Sequence, residues 1–449
     1  MVEITGPSSR SMNTTIGDLP EAVLVEILGR LPCYKYIGRC KCVSKHWCTF
    51  MSHPSFIRRF LYFQSYGKQP FMTRTLINCQ GEEFLARISS SFKALTPLFK
   101  RLMNFHHLKE EPVVVGSYND LVLCCASQYY QRDYYICNPY TFKWVTLPPP
   151  PQVTKFTGAG IFCDLPYYEC KKNDLGRHDI QLNADYKCRV VRIIFPRGVL
   201  EPQCEFKVQI FSSETGVWRE SIVLSPSRFY PYEVKHRISF AYNGMLYWLS
   251  DDGDFLIGLD LFMMDNRTSA SISSTSSSMV EGDASDHYEF LFTELDGCKG
   301  FTPGYLGFYK GCMQIGDYHY GTHTVNAWEF HEEFHSGSGK LLLEQRKRVY
   351  SLDLDMIPDD NYYVDLVGFD PNNDGNEGEG ILYLLVINDH DNTYGDIFMC
   401  NICTGKFMKI FENHPLVSSF FTVAVPWWPT PVPRLPEREA NPLILARLD

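Results

Sequence analysis

Tyr135-Ile136-Cys137-Asn138-Pro139-Tyr140-Thr141-Phe142-Lys143-Trp144 reads as a hairpin: an apolar run of strand length, a polar turn, and a return strand opened by a bulky ring. The pattern recurs at Phe211-Ser212-Ser213-Glu214-Thr215-Gly216-Val217-Trp218, where Thr-Gly makes the turn. It recurs more loosely at Met399-Cys400-Asn401-Ile402-Cys403-Thr404-Gly405-Lys406-Phe407. Repeated hairpins through most of a chain point to small sheets that stack and shield one another's edges, as in a propeller. An array of sandwiches is the structural alternative.

Outward from these hairpins the texture is the same from Pro112 onward. Short apolar runs such as Val113–Val115, Leu121–Cys125, Val190–Phe195, Phe206–Phe211, Met245–Leu249 and Ile381–Ile387 are bounded by Gly, Asn, Asp and Pro. Aromatic residues reach 14%, mostly Tyr and Phe, which favours pleated surfaces. Residues 112–432 are thus expected to form one all-β, propeller-like domain. Asn266–Ser285 is Ser-rich and expected to be a disordered loop, Asn372–Gly380 a loop tip, and residues 433–449 a Pro-rich tail.

Upstream the period changes. Leu24, Ile27, Leu28 and Leu31 fall at i, i+3, i+4 and i+7, one stripe on a helix. Asp18 and Glu21 stand at capping-box spacing, with Pro20 inside the start, and Pro32 ends the run. Further helices are expected over roughly Tyr36–Val43 and Lys45–Met51, where His53-Pro54 stops the third. The spacing predicts a three-helix module over 14–60 behind a tail of residues 1–13, then a connector over 61–111 with helix around Phe84–Phe92. The fold class expected is multidomain α+β.

Charge is uneven. Net charge is −10, yet residues 14–60 carry seven Lys/Arg against three Asp/Glu, and residues 61–449 hold −14. A small basic module on an acidic body points to an acidic protein partner for the module. No basic face with interleaved aromatics points to nucleic acid. The longest purely apolar run, Ile381–Ile387, is far short of a membrane span, and Met1–Arg10 lacks the apolar core of a signal peptide. The 16 Cys are scattered, often within apolar runs, as reduced thiols of an intracellular protein of the cytoplasm or nucleus. The sequons at Asn13 and Asn266 then carry no sugar.

The helical module resembles the F-box. The residues that carry the resemblance are Leu19-Pro20, Glu26-Ile27-Leu28, Arg30-Leu31-Pro32, Arg39-Cys40-Lys41-Cys42-Val43-Ser44-Lys45, Trp47 and Pro54-Ser55-Phe56. Gly38 within the second helix and Cys40 in place of a bulky apolar residue depart from the pattern. A three-helix unit this short is expected to be unable to bury its apolar faces alone and to need a partner groove. The resemblance implies docking on a Skp-type adaptor and, through it, a cullin and a RING subunit. The implied adaptor-binding positions are Leu19, Pro20, Leu24, Ile27, Leu28, Leu31, Val43 and Trp47. Residues 112–432 resemble the F-box-associated domain of plant F-box proteins, a propeller-like (kelch-like) fold used for protein binding. The carriers are Val115-Gly116-Ser117-Tyr118-Asn119-Asp120-Leu121, Cys137-Asn138-Pro139, Trp144, Leu147-Pro148, Thr215-Gly216, Trp218, Asn243-Gly244, Tyr247-Trp248 and Trp428-Pro429. Family members usually have Asn-Gly where this chain has Asn119-Asp120.

The expected function is that of a non-catalytic substrate-recognition subunit of a ubiquitin ligase, holding an unidentified target protein on the β-domain. The alternative is a sensor whose β-ring channel takes a small molecule. No cofactor or metal is expected. His331-Glu332-Glu333-Phe334-His335 matches the zinc-protease pattern, which needs both His on one helical face. Here it follows a strand-like run and meets Ser336-Gly337-Ser338-Gly339, so a charged hairpin tip is expected. Cys33, Cys40, Cys42 and Cys48 fit no paired metal spacing. His106-His107 is expected to be solvated or partly packed, and Trp144, Trp218 and Trp248 to fill space between blades.

Overall fold

The computed structural model describes residues 16, 19–65, 74–78, 95–127, 130–153, 157–172, 178–194, 203–229, 239–242, 245–249, 255–260, 289–294, 303–309, 312–319, 324–334, 341–351, 362–370, 381–388, 394–401, 407–415 and 420–436. Asn13, Asp18, Phe84–Phe92, Asn266–Ser285, Asn372–Gly380 and most of the C-terminal tail lie outside them. The chain divides into two compact units: Met1–Pro70 with Tyr168–Asn183, and Phe71–Tyr167 with Ala184–Asp449.

The first unit holds α1 (Glu21–Leu28), α2 (Tyr34–Lys41), α3 (Lys45–Ser52) and α4 (Pro54–Ser65). Where three helices were expected, four are described. His53-Pro54 does end α3, but proline at the first helical position needs no N–H acceptor and opens α4. The helix runs past residue 60 to Ser65, burying Phe56, Ile57, Phe60 and Leu61. The expected capping box is replaced. Pro20 is the N-cap of α1, with no side-chain cap bond, and Glu21 is already the first helical residue. The helix also stops before Pro32, because Gly29 caps it. A Cβ there would sit 2.7 Å from the Val25 carbonyl oxygen and 3.0 Å from the Phe63 ring. Ser44 caps α3, accepting from the Trp47 N–H at 3.1 Å. Gly38 lies in α2 with open space where a Cβ would go, so its cost is that of helix propensity alone.

A two-stranded hairpin completes this unit: β7 (Tyr168–Lys172) paired with β8 (His178–Leu182). Strand β8 packs on α4.

The second unit holds five four-stranded antiparallel sheets. Sheet 1 is β2 (Val113–Tyr118), β3 (Leu121–Cys125), β4 (Tyr134–Asn138) and β5 (Lys143–Thr146). Sheet 2 is β6 (Thr157–Cys163), β9 (Cys188–Ile194), β10 (Gln203–Ser212) and β11 (Trp218–Phe229). Sheet 3 runs from β12 (Phe240–Tyr242) through β13 (Met245–Leu249) and β14 (Phe255–Asp260) to β15 (Glu289–Glu294). Sheet 4 runs from β16 (Pro303–Tyr309) through β17 (Cys312–His319) and β18 (Thr324–Phe334) to β19 (Leu341–Ser351). Sheet 5 runs from β20 (Tyr362–Asp370) through β21 (Ile381–Asn388) and β22 (Tyr394–Asn401) to β23 (Phe407–Pro415). The three sequence hairpins join the third and fourth strands of sheets 1, 2 and 5.

First strands touch in cyclic order: β2 meets β6, β6 meets β12, β12 meets β16, and β16 meets β20. The circle closes through β24 (Phe420–Ala424), which touches both β20 and β2 and pairs with β1 (Arg74–Asn78). A Cβ on Gly160 would fall 2.7 Å from both the Ser239 Cβ and the Leu246 side chain, so β6 leaves no room for a side chain there. Helix α5 (Leu95–His106) lies in the stretch expected as connector, yet it belongs to this unit. Its stripe Leu95, Leu98, Phe99 and Leu102 is buried in one core with residues of sheets 1 and 5 and of β24.

Candidate docking surface

In the helical unit, the expected docking positions divide into two sets. Leu24, Leu28 and Trp47 are buried in the unit's own core, and Leu31 is half-buried beyond the end of α1. Leu19, Pro20, Ile27 and Val43 are exposed, Val43 by 68%. Val23 and Ile27 stand one turn apart on one face of α1, and Leu19 precedes its N-cap, Pro20. Ile16, Val23 and Tyr36 are also exposed, and the sequence reading did not single them out. The signal for Val23 was present: it stands four residues before Ile27.

A charged clasp ties α1 to α4. Glu26 accepts from Arg59 Nε at 2.7 Å and from Arg30 at 3.2 Å. The Arg59 guanidinium beside Glu26 holds its carboxyl below the usual carboxylate range. Both arginines lie over the Phe63 ring, at 4.6 Å and 4.4 Å. Gln64 Nε2 donates to the Leu31 carbonyl at 2.8 Å, fixing the chain after α1. Cys33 and Cys40 are half-buried, Cys42 and Cys48 exposed, all as free thiols.

In the β-domain the opening hairpin is tied at its turn. Asn138 Oδ1 accepts from the N–H of Tyr140 at 2.9 Å and of Thr141 at 3.0 Å, an Asx turn. Its Nδ2 donates to Asp120 and to the Thr430 carbonyl, both at 2.8 Å. Asp120 follows Asn119, which takes a left-handed φ of 51°. The Asp120 side chain turns inward, is buried, and also accepts from the Thr430 N–H at 2.7 Å and from the Thr430 hydroxyl.

Trp144 Nε1 donates to His106 Nε2 at 3.1 Å. Burial pushes the imidazole below its ordinary range, and the bond requires a neutral ring with its proton on Nδ1. Trp218 donates to the Pro148 carbonyl at 2.7 Å, and Trp248 is buried in a core between sheets 2 and 3.

His331 and Glu332 lie on β18, which continues to Phe334 rather than turning at 331. A strand backbone lacks the helical turn that a zinc protease needs between its two His. His335 lies outside the described residues. Among the described residues no group of three or more His, Cys, Asp or Glu could hold a metal ion.

Residues 16–64 match the F-box-like family model, and residues 88–273 match that of "F-box protein At3g26010-like, beta-propeller". The chain thus carries an F-box-like domain and an F-box-type β-propeller domain. The propeller match begins before α5, in keeping with that helix's place in the β-domain core. F-box protein At5g49610 of Arabidopsis thaliana is 27% identical over 252 residues, 54% of this chain and 61% of the relative. F-box protein At3g26010 of the same plant is 25% identical over 265 residues, 56% of this chain and 53% of the relative. The putative F-box protein At1g47800, also of Arabidopsis thaliana, is 37% identical over 86 residues, 19% of this chain and 22% of the relative. The chain thus spans between a half and two thirds of the length of the first two relatives.

Proposed function

We propose that this chain is the substrate-recognition subunit of a Skp-cullin-F-box ubiquitin ligase. The carrying observation is the set of exposed apolar side chains Leu19, Val23, Ile27, Tyr36 and Val43 on a small basic module. Apolar surface of this kind on a soluble unit marks an interaction site. The Skp-type adaptor, joined to cullin and RING subunits, covers it. Leu24, Leu28 and Trp47 support that surface from beneath. The β-domain, whose antiparallel four-stranded sheets support a kelch-like assignment, holds an unidentified target protein. Catalysis is then proximity: target lysines are kept at high effective concentration beside a ubiquitin thioester, and no residue of this chain reacts. The chain works inside the cell, in cytoplasm or nucleus.

The test separates docking from folding. Val23→Asp with Ile27→Asp places two charges on the exposed face and leaves the core intact. Co-purification with a Skp-type adaptor is expected to fall by about tenfold or more, since hot-spot residues each contribute about 2 kcal/mol. Helical content by circular dichroism should not change. An unaltered adaptor yield would sink the reading. Leu28→Asp with Trp47→Ala is less informative, because both side chains also build the module's core.

A further inference from the structure

Helix α5 spends its inner stripe on the β-domain core, and its outer face carries a different chemistry. Phe105 is 69% exposed, with its ring edge-on to Trp144 at 5.6 Å between centroids. Arg101, one turn earlier, is exposed and sets its guanidinium 6.0 Å from both the Phe142 and the Trp144 ring centres. The two rings flank the guanidinium without neutralising its charge. Among the described residues no carboxylate forms an ion pair with Arg101. Lys100 stands beside it, exposed, and α5 contains no acidic residue. This basic, aromatic shelf sits on a stretch of chain, residues 61–449, whose net charge is −14.

We propose that this shelf docks an acidic peptide segment carrying one aromatic or large aliphatic side chain, presented by the recruited target. The inference rests on reading the β-domain as the target-binding half. Charge complementarity selects the occupant. A carboxylate of the segment pairs with Arg101, where a planar fork matches carboxylate geometry. A second carboxylate meets Lys100. The apolar residue packs against Phe105, whose exposed ring is already steadied by Trp144. Nucleic acid fits poorly, because a strand of phosphates needs a longer run of cations than this acidic domain offers. The shelf stands on a helix locked by four buried side chains, so little ordering is lost on binding.

The experiment uses the full chain and a fluorescein-labelled pool of short peptides in which Asp and Glu surround one Phe or Leu. A matched pool with Lys in place of the acids and a short single-stranded DNA serve as controls. The acidic pool is expected to bind in fluorescence anisotropy, and more weakly as salt rises. Arg101→Glu should weaken binding by about tenfold or more, with Lys100→Glu and Phe105→Ala each weakening it several-fold. All three side chains are exposed, so folding should hold, which a melting curve checks. Absence of binding by the acidic pool overturns the proposal, as does equal binding by the Arg101→Glu variant or equal competition by the DNA. Adaptor co-purification is measured on the same variants. Its loss in the parent chain would defeat the ligase reading alone, and the peptide titration would still judge the shelf.

Discussion

Asp120 shows how one residue can serve closure of the fold at a cost. Its carboxylate is buried and accepts from Asn138, the Thr430 N–H and the Thr430 hydroxyl. Burial outweighs these bonds and raises its pKa above the ordinary 3.8. The sign follows. The protonated form is favoured in the folded chain, so this group's contribution is fully present below the ordinary value. It is lost as pH rises through the raised folded value. Asp120→Asn keeps the shape: its carbonyl can accept from Thr430 N–H and Asn138 while its amide donates to the Thr430 hydroxyl. Stability of the Asn variant at pH 7.5 is expected to equal or exceed the parent's, with less decline between pH 4 and pH 7.5. Asp120→Ala strands buried donors and should cost about 2–4 kcal/mol. Urea unfolding at the two pH values reads both. An Asn variant as weak as the Ala variant at pH 7.5 would show that the network needs the charge.

At the scale of elements, the β7–β8 hairpin is the informative piece. In sequence it interrupts sheet 2 between β6 and β9, yet it belongs to the helical unit and lays β8 on α4. Sheet 2 closes without it. The Asp164 N–H donates to the Lys187 carbonyl at 3.0 Å, and Asp164 Oδ1 accepts from the Lys187 N–H at 2.7 Å, pinching the neck. Replacing Tyr168–Asn183 by a short Gly-Ser turn should therefore spare the β-domain and loosen the helical unit. The expected result is faster amide exchange in α4 and a module that melts several degrees lower, at about 4–8 °C per kcal/mol for so small a unit. Unchanged protection in α4 would mean that the hairpin adds nothing to the module.

Across the whole β-domain, the decisive contacts join residues about 300 positions apart in the chain. Strand β24 closes the circle between β20 and β2, and the residues after it bind back to sheet 1 and its neighbours. Ser117 donates to the Thr422 carbonyl and Tyr140 to the Ala424 carbonyl, each at 2.9 Å, while the Ala424 N–H donates to the Asn119 carbonyl at 2.8 Å. Tyr186 donates to the Pro431 carbonyl, and burial pushes its phenol up. Ending the chain after Pro415 removes these ties and strips β1 of its partner. The truncated chain is expected to lose its sharp thermal transition and to aggregate, because open sheet edges template pairing. A single transition at the parent temperature would show that the ring closes without its last strand.

Local patterns were legible from the sequence alone. Helical spacing upstream and repeated hairpins downstream mark the two kinds of structure, because period and turn chemistry are local properties. The residue types at the expected docking positions were legible as well. Their orientation was not: Leu24, Leu28 and Trp47 turn inward, while Val23, Ile27 and Val43 stay exposed. Both sets are apolar at helical spacing, and only packing decides which face meets the chain's own core. The same reason hid α4 behind Pro54, assigned α5 to a connector, and gave no hint that residues 168–183 join the helical unit. Turn chemistry placed Asn119-Asp120 between two strands. Only Thr430, brought back from the far end of the chain, makes the buried carboxylate of Asp120 part of the closure.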